Sequence, residues 1–521
     1  MEALNYTWLE GTTFGIGGLK VKKTLTTSLM TMLALSAVLS GCNGSDSAQP
    51  ADGKVSDKNA DKKPVTLKFW SRWPESQQVF EQAFKEFHEK YPWITVEMPP
   101  VASAQYAAQL QAAVASNDLP DIFANQSAVP MDQLNQLGLI RDLEDVLPQK
   151  KKDEFYEGTW AEGFTTLGGK VYALPHFTPR RYAHVMYYNL DVLKSVGLSE
   201  KDVPKSWDEL VAVGKKIKEK NSSIYPLVLG VKTDWLMGGF IGQMASAIYP
   251  DVLPNDGVNA GFNYKKGEYE HASAGIVQTM QFLKQLQDDK ILHPNSLVID
   301  YREASTLFAG GKAAFVIDGT FLTAELQQNN KFNNFGVAPL PTKDGKPQYY
   351  AFQGETKAAI HVSKNTKHYE EVKLFLQFYM DRVYTKELEM GVEGSPIIAQ
   401  NKDTKVNNPQ FVQAQTIQDQ TFILSPHQYT RNTAAVKVNT ELNGKKPKEN
   451  LGKIFEGYLA GQIKDLEGTL KKLSADYNTA LQESVKKVAA SGTKVSMDDY
   501  KFPNWTPMQP YSKNKYDELG K

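Results

Sequence analysis

The stretch V65-T-L-K-F-W-S-R-W-P74, continued as ESQQVFEQAFKEFHEKYPWITVE to Glu97, decides how the rest of the chain is read. Val65, Leu67 and Phe69 alternate with Thr66 and Lys68, so this run predicts a strand with one buried face. Val79, Phe80, Ala83, Phe84 and Phe87 then recur at helical spacing, and the pattern stops before Tyr91-Pro92. Ile94, Val96 and Met98 alternate again. A strand–helix–strand unit of this size suits a parallel crossover, which makes the fold class α/β. Working outward, an alanine-rich helix from Tyr106 to Ser116 leads through the turn NDLPD into a short strand, Ile122-Phe123-Ala124. Ser206-Trp207-Asp208-Glu209 has capping-box spacing before Leu210, Val213 and Ile217, so a helix starts there. Thr366 precedes a helical run through Val372, Phe375, Leu376 and Tyr379, and residues 451–488 read as largely helical. At 521 residues the chain exceeds one ordinary core, so two or more lobes are expected.

In an open parallel sheet, ligands bind in the crevice beyond the carboxyl ends of the strands. The first strand ends in Trp70-Ser71-Arg72-Trp73 and the third in Asn125-Gln126-Ser127, so both loops fall on one rim. Two indoles flanking an arginine, beside an amide pair, suit a sugar. Flat faces cover its C–H surface, and fixed donors and acceptors meet its hydroxyls. For any single residue the alternative stays open, with one tryptophan in the core and the arginine solvated.

Lys plus Arg balance Asp plus Glu at 59 each, so nothing pulls this chain toward nucleic acid. No G-x-S-x-G, phosphate loop or G-x-G-x-x-G is present, and the histidines include no pair at i,i+3 or i,i+4. No cofactor and no metal are therefore expected. A pair of carboxylates in a cleft, as in glycoside hydrolysis, is the route left open to an enzyme.

Cys42 is the sole cysteine, which excludes an intrachain disulfide. Lys20, Lys22 and Lys23 precede an uncharged run whose most apolar part is Leu29 to Leu39, the proportions of a signal peptide. Leu39-Ser40-Gly41-Cys42 resembles the lipobox of bacterial lipoproteins. That resemblance implies cleavage before Cys42 and a diacylglyceryl anchor on its thiol, outside the cytoplasm. Residues 1–41 are thus expected to be a signal peptide, with 1–19 an over-extension of the true start. Residues 42–64 would form a lipidated, flexible tether spanning on the order of 25 Å.

Eight stretches, in order, resemble the extracellular solute-binding proteins of ABC importers, the group that includes maltose-binding protein. They are FHEKYPWITVE, LQAAVASNDLPDIF, LGLIRDLEDVL, GGKVYALP with MYYNLDVLKSVGL, PKSWDELVAVGKKI, LFAGGKAAFVIDGTF, FGVAPLPTKDG and KAAIHVSKNTKHYEEVKLFLQFY. The resemblance implies a two-lobed, type II binding-protein fold with a hinged cleft. Lobe one would hold 65–176 plus 338–386, and lobe two 178–336 plus 390–510. Crossings are expected near Leu174–Thr178, Gly336–Leu340 and Val383–Gly394. It also implies a monomeric receptor that delivers a carbohydrate to an ABC permease and catalyses nothing.

Residues matching the family's sugar-facing loops are Ser71, Arg72 and Trp73, beside the rim candidate Trp70, then Asn125 and Gln126. Asp318, Gly319 and Phe321 follow, with Phe321 where relatives carry a tryptophan, and then Gln353, Gly354 and Glu355. The segment HFTPRRYAHVMYYN is longer than in maltose-binding protein and adds Arg180 and Arg181. Two guanidiniums suit a uronate glycan, or salt bridges within the protein. Trp160 and Trp235 are candidate platforms or core residues. Tyr429 and Arg431 are candidates for the far side of the cleft, and Tyr187 and Tyr188 read as strand and core. A surface glycan-degrading enzyme and a non-transport sugar sensor are the alternative functions.

Overall fold

The computed structural model describes residues 62–101, 103–125, 129–181, 183–254, 260–352 and 358–520. Cys42 with its signal, the tether through residue 61, Gln126, and Gln353 to Glu355 lie outside the described residues. The opening unit folds as its periodicity dictates. Strand Val65–Trp70 pairs in parallel with Ile94–Glu97, and helix Gln77–Lys90 covers them with Val79, Phe80, Ala83, Phe84 and Phe87 buried. On its other side the first strand pairs in parallel with Ile122–Ala124. Ala359–Val362 follows antiparallel, and Leu174–Pro175 closes the five-stranded sheet. Its core is strongly aromatic. Phe69 meets Phe80, Phe84 and Phe375 edge-on, with ring centroids 5.3, 5.4 and 5.9 Å away.

The second sheet has four strands in the order Phe335–Ala338, His184–Asn189, Ala313–Gly319, Tyr225–Val228. His184–Asn189 runs antiparallel to both neighbours, while Ala313–Gly319 and Tyr225–Val228 are parallel. Both central strands are buried along their whole length, as expected for a sheet covered on two faces. Helices Trp207–Lys220, Asp234–Ser246 and Ala274–Asp288 supply much of that cover, with Trp207 stacked flat on Phe282 at 4.2 Å.

The chain passes from one core to the other in three places. The first passage joins Leu174–Pro175 to His184–Asn189. The second falls later than the expected Gly336–Leu340. Leu340, Tyr349 and Ala351 still pack in the second core, and Ala358 is the next residue in the first. The reason is a set of bonds across residues 342–351. Tyr349 N–H donates to Ser246 Oγ at 3.0 Å, and Ala351 N–H to the Pro254 carbonyl at 2.9 Å. The third passage follows Ile397, the last residue of the first core, and ends in helix Pro409–Thr421 against the second sheet.

The helical runs read from the sequence are present, with their ends set by local bonds. The run expected over 451–488 is two helices, Leu451–Leu459 and Leu466–Ala490. Gly461 separates them at φ +72°, a conformation with little strain only for glycine. The helical run after Thr366 is present as Tyr369–Phe378, and Thr366 Oγ1 bonds to Asp121 at the end of the first sheet. Phe69 is the ring on which the first core converges. Phe69→Ala is predicted to cost about 3–5 kcal/mol, read as a lower urea midpoint with unchanged slope.

Candidate functional site

Strand polarity puts the loops in register. In the first sheet, Val65–Trp70, Ile122–Ala124 and Leu174–Pro175 all point the same way. Their carboxyl ends deliver Trp70 to Trp73, Asn125, and His176 to Thr178 to one rim. In the second sheet, the carboxyl ends of Tyr225–Val228 and Ala313–Gly319 lie beside the amino end of His184–Asn189. That rim carries Thr233 to Trp235 and Asp318 to Phe321. Residues 176–183 join the two rims directly. Burial pushes the Tyr301 hydroxyl on the second rim up to about 12; Arg302 opposes the shift, and Asp318, Glu325 and, least, Glu75 of the first loop add to it.

On the first rim, Trp70 and Arg72 are half-buried and Ser71 and Trp73 buried. Ser71 Oγ accepts from Trp73 N–H at 3.1 Å and fixes the turn. The Trp73 indole stacks on His176 with centroids 4.1 Å apart, and its N–H has no partner among the described residues. Asn125 is committed to its own loop. Its amide donates to the Val129 carbonyl at 2.8 Å and accepts from Val129 N–H at 3.2 Å. Trp160 packs edge-on against Phe155 and donates to the Lys152 carbonyl at 3.0 Å.

The second rim is an aromatic wall. Phe321 meets Tyr301 edge-on at 5.6 Å and Trp235 at 6.5 Å, and Trp235 is 42 % exposed. Gly319 makes this possible. A Cβ there would lie 2.3 Å from Phe321 Cε1, so only glycine lets the ring fold back. Asp318 is buried and accepts from Gly319 N–H at 2.7 Å. Burial holds its carboxyl well above the usual range, with Glu325 and Asp300 adding to the shift. The Tyr187 hydroxyl braces the same turn, lying 3.1 Å from both the Gly319 and Thr320 carbonyls and 3.2 Å from Thr323 Oγ1. Tyr188 is buried in the second core.

Sequence reasoning missed Tyr301. It begins helix Tyr301–Ala309, behind a capping box of Asp300 and Glu303. Its N–H donates to Thr233 Oγ1 at 3.1 Å, which draws it to Trp235. The D-x-x-E spacing at 300–303 is the signal that marks this helix start.

The two arginines are engaged within the protein. Arg180 donates to the Asp419 carbonyl at 2.8 Å and pairs with its carboxylate at 3.2 Å, with Tyr156, Phe352 and Phe422 around the guanidinium. Arg181 pairs with buried Glu393, reaches Glu75 at 4.0 Å and lies over the Phe177 ring at 3.7 Å. Tyr429 belongs to the second core, stacked on Phe164 at 5.5 Å and edge-on to His427 at 4.4 Å. Arg431 donates to the Lys501 carbonyl and lies over Phe502.

Two sheets that offer their loops to a shared edge match a known architecture. The model of the family described as bacterial extracellular solute-binding protein matches residues 72–384. The chain belongs to that family. Similar relatives of this solute-binding protein include the multiple sugar-binding protein of Streptococcus mutans. It is 26 % identical over 392 residues, spanning 72 % of this chain and 82 % of the relative. The arabinooligosaccharide-binding protein of Bacillus subtilis is 26 % identical over 370 residues, 69 % and 76 % of the two chains. Among solved structures, the GacH receptor of Streptomyces glaucescens superposes with a TM-score of 0.59 at 16 % identity, covering 82 % of this chain and 99 % of the receptor. At that identity the likeness shows the fold, which is two-lobed and α/β.

Gly319→Ala is predicted to displace Phe321 and lower stability by about 1–3 kcal/mol, the cost of overpacking. It should also change Trp235 emission, and that change should vanish in a Trp235→Phe background.

Proposed function

We propose that this solute-binding protein is a lipid-anchored, extracytoplasmic receptor. It delivers a neutral oligosaccharide to an ABC permease by closing its lobes around the sugar. The reading is carried by one observation: half-buried Trp70 stands on one rim, and Trp235, Phe321 and Tyr301 on the rim joined to it by the first inter-sheet passage, while Trp73, expected to touch sugar, is buried against His176 and supports the rim from behind. Aromatic faces presented from two sides suit the two C–H surfaces of a pyranose or furanose ring. Contacts from both lobes exist together only when the cleft is shut, so binding would shift the population toward the closed form.

Charge supports a neutral rather than a uronate ligand. Arg180 is matched by Asp419 and Arg181 by Glu393, so neither guanidinium offers the bidentate face a carboxylate would take. Family membership and relatives named as sugar-binding proteins support transport, and they support a receptor over an enzyme. No helix among the described residues is long and apolar enough to cross a membrane. Attachment is assigned to the Cys42 thiol. Two acyl chains hold a protein stably where one is marginal.

Two experiments test this. A thermal-shift screen of arabino-, malto-, xylo- and chito-oligosaccharides should find a neutral class that raises the melting temperature. At ligand one hundred times Kd the stabilisation is about 2.7 kcal/mol, and oligogalacturonides should give none. Stabilisation by oligogalacturonides alone, or hydrolysis of the stabilising sugar, would contradict the proposal. For the anchor, Cys42→Ala is expected to release the protein into the medium, and retention on the membrane would remove that part.

A further inference from the structure

The passage between the sheets holds a buried cluster that the sugar reading leaves unused. The His176 ring is buried between Trp73, stacked at 4.1 Å, and Phe80 at 5.2 Å. Nδ1 lies 2.6 Å from the Tyr379 hydroxyl. Nε2 lies 3.1 Å from Ser76 Oγ and 3.6 Å from Glu387 Oε1. Glu387 is itself buried, in helix Tyr384–Glu389. Tyr384 of the same helix donates to the Pro175 carbonyl, next to His176. Here the first inter-sheet passage, the chain leading into the third, and the ligand-side loop 70–76 are fastened to one another.

The charged and titratable groups facing the pair come from each of those elements. Loop 70–76 supplies Glu75, the first passage supplies Arg181, and the third segment supplies Tyr379, Tyr384 and Glu393. Arg181 is the one cation among these facing groups, and it is already shared between Glu393 and Glu75.

We propose that His176 and Glu387 form a proton-controlled joint between the inter-sheet passages. Holding one exchangeable proton, the pair is neutral and the joint is closed. When that proton is lost to solvent, a buried negative charge remains beside two other acids. Arg181 is then drawn off Glu393 and Glu75, and the joint loosens.

Burial pushes the Glu387 carboxyl up to about 8; Ser76 opposes that shift, Glu393 and Glu75 add to it, and Arg181 opposes it. Burial, followed by Arg181, holds His176 well below the usual imidazole range. With His176 held neutral, the proton that titrates in this range is the one on Glu387. Because the folded-state carboxyl binds its proton more tightly than the unfolded one, its contribution is present at acidic pH. It declines as pH rises from the ordinary carboxylate range through about 8. A receptor built this way grips its ligand at neutral or acidic pH and slackens in alkali.

The test uses the full chain. Emission of Trp73, isolated as the difference between wild type and Trp73→Phe, is titrated from pH 6.5 to 9.5. Amide exchange at 174–178 and 387–393 is followed over the same range, corrected for intrinsic rate. A single-proton transition near pH 8 is expected in both signals, absent in Glu387→Gln and moved to lower pH in Glu75→Gln, whose charge adds to the Glu387 shift. A flat wild-type signal, or a transition that survives Glu387→Gln, overturns the proposal. If Glu387→Gln fails to fold, a midpoint unmoved by Glu75→Gln overturns it instead. Emission that titrates while exchange stays constant also overturns it, since the joint then does not loosen.

Discussion

The short link from Leu174–Pro175 to His184–Asn189 is the constraint on which the rest of this molecule depends. It leaves the first sheet at a carboxyl end and enters the second at the amino end of an antiparallel strand. With so little chain between them, the ligand-side rims of both sheets meet at one edge. Trp73, His176, Phe177 and Arg181 pack along the link itself. Trp235, Tyr301 and Phe321 take their positions from strands fixed in register with it. A different polarity for His184–Asn189 would send the two aromatic groups to opposite ends of the protein.

Most of the fold was legible because its elements are amphipathic and local. The strand–helix–strand opening follows from the spacing of apolar residues, and the helix start at Ser206 from its capping-box spacing. Passage points were less legible. Residues 342–351 look like a loop leaving a strand, yet they bond to Ser246 and Pro254, far away in sequence. No periodicity records such a contact.

At the site, residue type indicated where chemistry gathers but not what each group does there. Asn125 and Tyr429 have the chemistry of sugar contacts. Local hydrogen bonding commits the first to its loop, and stacking on Phe164 takes the second into the core. Arg180 and Arg181 invited a search for an anionic ligand, and partners distant in sequence, Asp419 and Glu393, answer their charge. Tyr301 is the converse case, an ordinary helix-start residue that tertiary packing brings to the aromatic wall. Buried acids such as Asp318 and Glu387 are held toward their neutral forms.

The central claim is that the two rims close on one oligosaccharide. It is tested most directly by measuring the distance between the lobes with and without sugar. Leu137 and Val298 are exposed, at 56 % and 67 %, and lie on the first and second lobes. Spin labels at these positions, in a Cys42→Ala background, report that distance by pulsed electron resonance. The account predicts a broad distribution in free protein that narrows and moves to shorter distance when the stabilising neutral oligosaccharide is added. A distribution unchanged by a sugar that demonstrably binds would contradict it.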